Sequence, residues 1–417
     1  MAWVQRSIGT GASARTGPLV SSSIPEPGEL PAAAYAGALA CLPGVGPAWL
    51  VNILARYPPQ RAWELVAAGE LSRPPRARLA PSAPEWADSA GRTDVRALWA
   101  RCQQRGIAVT WPGAAGYPTA LVGGPEPAGV LFSAGKLERL ERRPCVAIVG
   151  TRRCTPDGAA AAYKLAYDLS RSGACVISGL ALGIDAAAHA GALAAARDLE
   201  EDPAGPASGS TVGVAASGVD VVYPRRHEAL WREVVSLGAV ASETPPGWPA
   251  QAWRFPSRNR LIAGLAQMVV VVESHAGGGS WHTVEAALRR GVEVGAVPGS
   301  IHSSASVGTN TLLHEGATPI RGAQDVLDAL GLLRHLPAGP VPAEALSFDF
   351  SGPGPACPPG TLEERVRTAL SWRPLCLEEI VERSGVPVGA VVVALDRLEQ
   401  QGLAGAQAGW WFRKART

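Results

Sequence analysis

Apolar and polar positions fall in blocks along the chain, and the period changes from block to block. From residue 31 to 68 the apolar positions keep helical spacing, broken once by Leu42-Pro43-Gly44-Val45-Gly46-Pro47. Residues 72–90 are rich in Pro, Arg and Ser and read as a loop. A short helix over about 93–105 and extended segments then lead to Pro144. From Cys145 short apolar runs appear at 145–150 (CVAIVG), 174–178 (ACVIS), 211–216 (TVGVAA), 239–242, 268–273 (MVVVVE) and 292–297 (VEVGAV). Helical patterns lie between them at 157–171, 185–196, 226–236, 258–266 and 280–290. Continuous apolar strands alternating with helices imply a parallel sheet covered on both faces. Residues 361–413 carry three helical stretches, then Leu403-Ala404-Gly405 and the extended Trp410-Trp411-Phe412. That is the element order of a winged helix.

The predicted fold class is therefore α/β, a Rossmann-like parallel-sheet core with a small helical module at each end. The expected division is a disordered tail over 1–30, an N-terminal helical module over 31–110, the core over 111–335, a Pro/Gly-rich linker over 336–360 and the winged helix over 361–417. Residues 197–210 (RDLEEDPAGPASGS) are acidic and then rich in Gly, Pro and Ser, the pattern of a mobile loop.

Composition narrows the classes. The chain has 417 residues and a net charge of only +2, so any nucleic-acid binding must come from local basic patches. Only Lys136, Lys164 and Lys414 are lysines, the other 35 basic residues being arginine; with so much Ala, Gly and Pro, this reads as the bias of a GC-rich genome. The seven cysteines are scattered with no C-x-x-C pair, which argues against a zinc site and for a reducing compartment. The first thirty residues have no apolar signal core, and no run reaches the roughly 18–20 apolar residues of a membrane helix. A cytoplasmic protein without a membrane partner is expected.

In open α/β sheets ligands bind outside the carboxyl ends of the strands, so the chemistry is sought in the loops there. Gly150-Thr151-Arg152-Arg153 follows the first strand and precedes a helix, a phosphate-site pattern. It is neither G-x-G-x-x-G nor a Walker A motif, so no nucleotide cofactor is expected. Ser178-Gly179-Leu180-Ala181-Leu182-Gly183-Ile184-Asp185 follows the second strand. Its glycines permit close backbone approach; Asp185 reads as a helix cap or an arginine partner, capping being preferred, and His189 as structural. Trp253-Arg254-Phe255-Pro256-Ser257-Arg258-Asn259-Arg260 follows the fourth strand and combines an aromatic face with arginines, as a single strand requires. The alternative is that Phe255 is a buried anchor. Gly277-Gly278-Gly279-Ser280 is a second anion cradle, with Thr283 and Glu285 behind it. Thr309 and Asn310 follow the last strand as polar contacts or helix caps. No metal site and no catalytic residue stands out.

Together these blocks resemble the DprA (Smf) family of bacterial natural transformation. The resemblance runs from Val146 to about Leu330 through VAIVGTRRCTPDG, VISGLALGIDAAAH, GVDVVYPRRH, ASETPPGWP, WRFPSRNRLIAGL, VVVVE, GGGSWHT, AVPGSIHS and VGTNTLLHEGA. It implies an extended Rossmann fold without catalytic activity that binds single-stranded DNA and dimerises. It also implies transfer of the strand to the RecA recombinase, with displacement of the single-strand-binding protein. By motif, Gly150, Thr151 and Arg152 form the phosphate site. Ser178 and Gly179 belong to the S-G-x-A block. Phe255, Arg258, Asn259 and Arg260 form the F-P-x-R-N-R block, with Gly279 and Ser280 in the Gly-rich loop and Thr309 with Asn310 in the G-x-N block. The sequence departs from the family at Leu182, where a basic residue is usual, and at Trp281-His282 in the Gly-rich loop. LPGVGP resembles a helix-hairpin-helix of a SAM-like module and leaves phosphate contact and a plain connector both open. The presumed recognition helix (388–400) carries Asp396 and Glu399 beside Arg397, favouring a protein-contact or intramolecular role. The competing function is a Rossmann-type nucleotide hydrolase of phosphoribohydrolase type, for which Thr283 and Glu285 would be the active loop.

Overall fold

The computed structural model describes residues 29–71, 83–142, 144–200, 210–331, 360–370, 375–407 and 410–413. The expected tail up to residue 28, residues 336–359 of the expected linker and residues 201–209 of the expected insert lie outside the described residues. Five helices come first: α1 (Ala32–Ala40), α2 (Pro47–Leu54), α3 (Pro59–Ala67), α4 (Ala83–Gly91) and α5 (Val95–Gln104). α4 corrects the expectation of a loop through residue 90. Trp86 and Ala90 lie one turn apart on its inner face and are buried. The Trp86 indole also donates to the Pro43 carbonyl at 2.8 Å, which ties α4 to the hairpin between α1 and α2.

The sheet begins with β1 (Ile107–Thr110) and β2 (Leu131–Gly135). There follow β3 (Cys145–Val149), α6 (Pro156–Arg171), β4 (Cys175–Ser178), α7 (Ile184–Glu200) and β5 (Ser210–Val214). The core is completed by α8 (Glu228–Leu237), β6 (Ala239–Ser242), α9 (Arg254–Leu265), β7 (Met268–Val271), α10 (Trp281–Arg290), β8 (Glu293–Ala296), α11 (Val307–His314), β9 (Thr318–Pro319) and α12 (Ala323–Ala329). Among the described residues these strands form one sheet in the order β1-β2-β6-β5-β4-β3-β7-β8-β9. Pairing is parallel from β6 through β9, while β1–β2 and β2–β6 are antiparallel. The predicted parallel core is thus present, extended at one edge by an antiparallel pair.

Period-two burial explains why the central strands look uniformly apolar. In β3, Cys145, Ala147 and Val149 pack on one face of the sheet, and Val146 and Ile148 on the other. β7 divides in the same way, Val269 and Val271 against Met268 and Val270. The N-terminal helices share a third cluster with Phe132, Ala134 and Val240 of the sheet. The expected boundary between 110 and 111 therefore falls inside a shared core. Two further boundaries move. α7 continues through Glu200, so the start of the expected insert is helical. α9 begins at Arg254, so the expected aromatic-arginine loop is a helix N-terminus; Pro256 is tolerated there because first-turn N–H groups have no intrahelical partner.

The last unit contains α13 (Leu362–Ala369), α14 (Leu377–Ser384), α15 (Val388–Gln400) and the antiparallel hairpin β10 (Ala404–Gln407) with β11 (Trp410–Arg413). Val366, Leu370, Ile380, Val391, Leu395 and Leu398 make its core, and Trp411 packs against it. Among the described residues no helix is long and apolar enough to cross a membrane.

Candidate nucleic-acid interface

The chain runs outward from β3 through β4, β5 and β6, then returns to place β7 on the other side of β3. Adjacent loops after β3 and β7 leave on opposite faces at such a point, which opens a crevice above the carboxyl ends. Gly150 sits at its floor. A Cβ there would lie 2.6 Å from Ile184 Cγ1 and 2.7 Å from the Glu273 carbonyl oxygen, so only glycine lets the backbones approach. The Thr151 N–H donates to that carbonyl at 2.8 Å. The Glu273 carboxylate accepts from Thr155 N at 2.8 Å and Thr155 Oγ1 at 2.5 Å. Burial pushes its carboxyl up, and the Thr155 bonds oppose that shift. The loop is thereby fixed, and Arg152 projects from it, exposed and without a salt bridge among the described residues.

Arg152 meets Phe255 from the first turn of α9, its guanidinium carbon 4.9 Å from the ring centroid. The half-buried Phe255 ring also lies 5.5 Å from the exposed ring of Tyr223. Arg225 and Arg226 follow Tyr223 and are exposed as well. Trp248 and Trp253 are exposed nearby in the chain, and the Arg254 guanidinium lies over both indoles. Tyr223, Arg225, Arg226 and Trp248 were not singled out from the sequence. The available signal was an aromatic next to proline in both places, Tyr223 with paired arginines after it in GVDVVYPRRH and Trp248 in ASETPPGWP.

Two of the expected phosphate-holding arginines are inside the protein. Arg258 is 6% exposed, and its Nη1 donates to the carbonyls of Gly179 and Val214. Burial pulls its pKa down to about 10, and Asp185 partly restores it. Arg260 is 7% exposed, donates to the Glu126 carbonyl and pairs with the Glu243 carboxylate. Burial raises the Glu243 carboxyl, and Arg260 opposes the rise. The reason is their phase on α9: Arg258 turns toward β4 and β5, and Arg260 toward the segment before β2. Their cationic ends satisfy backbone carbonyls there instead of solvent.

Other expected contacts are bonded into the fold. Ser178 is fully buried and its hydroxyl donates to the Ile148 carbonyl at 2.6 Å. Gly179 is buried; a Cβ there would lie 2.6 Å from Asp185 Oδ2 and 2.7 Å from Arg258 Nη2. Asp185 does not cap a helix by its side chain. It accepts from Gly179 N at 3.1 Å and Ala181 N at 3.4 Å, and so holds the turn in which Leu180 takes a left-handed φ of 58°. That backbone state costs a side-chain-bearing residue about 1–2 kcal/mol. Burial raises the Asp185 carboxyl, and Arg258 opposes it. His189 is buried against Thr211, with Nδ1 2.7 Å from Oγ1, as its structural reading requires.

Thr309 is buried and donates to the Ser306 carbonyl at 3.1 Å, and Asn310 exchanges two bonds with the Gly299 backbone. Ser280 is buried with its Oγ 2.8 Å from that of Ser274. Gly279 is exposed with open space around it, and its carbonyl accepts from Asn259 Nδ2 at 3.3 Å. The groups brought together at the surface are thus Gly150, Thr151, Arg152, Phe255, Asn259 and Gly279, with Tyr223. Thr283 is buried while Glu285 is exposed on α10, so the two residues of the hydrolase reading face different surroundings.

Comparison with known proteins agrees with this architecture. The sequence model of the family described as DNA recombination-mediator protein A matches residues 108–331, more than half of the chain. The DprA winged helix domain matches residues 351–409. Protein Smf of Synechocystis is 30% identical over 335 residues, covering 75% of this chain and 81% of the relative. Protein Smf of Escherichia coli is 32% identical over 303 residues, covering 72% and 76%. The X-ray structure of DNA processing protein A from Streptococcus pneumoniae superposes with a TM-score of 0.56 at 28% identity, covering 72% of this chain and 98% of that one. Fold, motif order and both matched regions agree: the chain belongs to the DprA/Smf family of DNA recombination-mediator proteins.

Proposed function

We propose that the crest above β3, β4 and β7 binds single-stranded DNA without chemistry, and that the protein delivers the strand to the RecA recombinase. The observation that carries this reading is the Arg152–Phe255 pair, a free cation held over a partly exposed ring at the strand crest. A flat ring takes any base on its face, and a guanidinium takes a phosphate without reading sequence. Exposed Arg225 and Arg226 extend the basic surface beyond Tyr223. Buried Arg258, Asp185 and Ser178 position the loops, and the loop amides at Gly150, Thr151 and Gly279 offer donors to phosphate.

Family membership supports the remainder of the reading. A homodimer aligns two crests, protects incoming DNA in the cytoplasm, and presents the strand to RecA in competition with single-strand-binding protein. The test is anisotropy of a labelled oligothymidylate against wild type and Arg152→Ala. Loss of a charge-assisted contact of about 1.5–3 kcal/mol predicts roughly 10- to 150-fold weaker binding. Equal affinity for both proteins refutes the crest site. Free base released from a nucleoside monophosphate would instead establish the hydrolase reading.

A further inference from the structure

We propose that Trp248, Arg254 and Trp253 form a second stacking subsite for one unpaired nucleobase, adjoining the Arg152–Phe255 site. The inference rests on the single-strand reading above and extends it. Trp253 is 65% exposed and Trp248 38%, unusual for the largest apolar side chains. The Trp253 Nε1 donates to Gln251 Oε1 at 2.9 Å, and the backbone that carries Trp248 is held by a bond from Gly218 N to the Trp248 carbonyl at 2.9 Å. Arg254 lies over both rings, 5.2 Å from one centroid and 5.0 Å from the other. Its Nη1 is anchored on the Pro249 carbonyl at 2.7 Å. The result is an indole–guanidinium–indole cluster in which both rings keep exposed surface for a flat partner.

The occupant follows from chemistry and position. A cation-backed indole favours an electron-rich aromatic plane, which a nucleobase supplies. Trp253 and Phe255, two positions apart at the start of α9, leave it in different directions, and the 218–223 segment joins the two clusters: Gly218 N donates to the Trp248 carbonyl at 2.9 Å, and the Tyr223 ring lies 5.5 Å from that of Phe255. A strand passing Phe255 therefore has its next ring surface within reach. The helix N-terminus and Arg225–Arg226 favour the phosphates that such a strand carries. A purely structural Trp pair would anchor α9 and contribute nothing to binding.

The experiment uses the full chain with Trp253→Ala, Trp253→Phe and Trp248→Ala. Binding is measured with oligothymidylates from about 4 to about 16 nucleotides, the span of single-strand site sizes. Trp253→Ala should weaken the longer oligonucleotides roughly 5- to 150-fold, the loss of one stacked base. The shortest should lose little, and the salt slope should not change, because no phosphate contact is removed. Trp253→Phe should recover part of the affinity. An oligonucleotide carrying 5-iodouracil should photocrosslink to Trp253, a readout independent of whether the Trp248 variant folds. Wild-type affinity at every length, or loss of binding only together with a lowered unfolding midpoint, overturns the subsite. If Arg152→Ala abolishes binding while both tryptophan variants are silent, only the subsite fails. If wild type binds no single strand, the crest reading fails and the subsite with it.

Discussion

Arg152 and Arg258 look alike in the sequence, yet one is exposed and the other buried, and substitution should separate them. Arg152 is exposed, so under the crest reading Arg152→Ala should weaken binding roughly 10- to 150-fold without opening a cavity. Its stability should stay within about 0.5 kcal/mol of wild type. Arg258 donates to two backbone carbonyls and faces the buried Asp185 carboxyl. Arg258→Ala leaves that acid without its cation and both carbonyls without that donor. Each buried carbonyl left without its charged donor costs about 1–3 kcal/mol, so the two together cost about 2–6 kcal/mol. With a urea slope of about 3 kcal/mol/M for a domain of this size, the midpoint should fall by roughly 1–2 M. The assay is urea unfolding followed by tryptophan fluorescence, paired with oligothymidylate anisotropy on the same preparations. Both variants lose affinity, but Arg258→Ala loses it through a loosened Gly179–Asp185 turn, which amide exchange at Gly179 and Ala181 would register. An Arg258→Ala protein as stable as wild type that still fails to bind DNA would contradict the positioning role. Arg258 would then be a direct phosphate contact.

Three further outcomes are expected. Gly179→Ala forces a Cβ against Asp185 and Arg258 and should destabilise by about 1–3 kcal/mol, whereas Gly279→Ala, with open space around it, should leave the unfolding midpoint in place; equal midpoints would be contrary. His189 is held neutral by burial, its pKa lowered to about 3, so the unfolded chain binds the extra proton between about pH 6.5 and pH 3. Its contribution is complete above pH 6.5 and is lost as pH falls, at up to about 1.4 kcal/mol per pH unit. Wild type should therefore lose stability faster than His189→Gln over that window, and parallel curves would disprove it. Arg225→Ala with Arg226→Ala should flatten the plot of log affinity against log salt by about 1.4, two single-strand phosphate contacts at about 0.7 each; an unchanged slope places these arginines away from the strand.

Much of the fold was legible because burial on both faces of a central strand leaves a continuous apolar run. β3, β4, β6, β7 and β8 lie where CVAIVG, ACVIS, 239–242, MVVVVE and VEVGAV place them. α4 was not legible. Its helix lies beside a Pro- and Arg-rich stretch, and the reason it folds, Trp86 reaching the Pro43 carbonyl, spans 43 residues. The antiparallel edge was hidden for the same reason: β2 pairs with β6 across more than a hundred residues.

The strand-helix alternation, the order of the crest motifs and the winged-helix pattern are written in the local sequence. These rest on local period and residue type, which the chain carries wherever it is placed. Tertiary structure decided which side chains of those motifs face outward. Phe255, Arg258, Asn259 and Arg260 are neighbours in sequence, but α9 turns each by a different angle. Arg258 and Arg260 are sent to carbonyls and acids inside the protein, while Phe255 meets Arg152 and Tyr223 at the surface. A helix assigns direction by phase, and phase has functional meaning only once the sheet beneath it is in place.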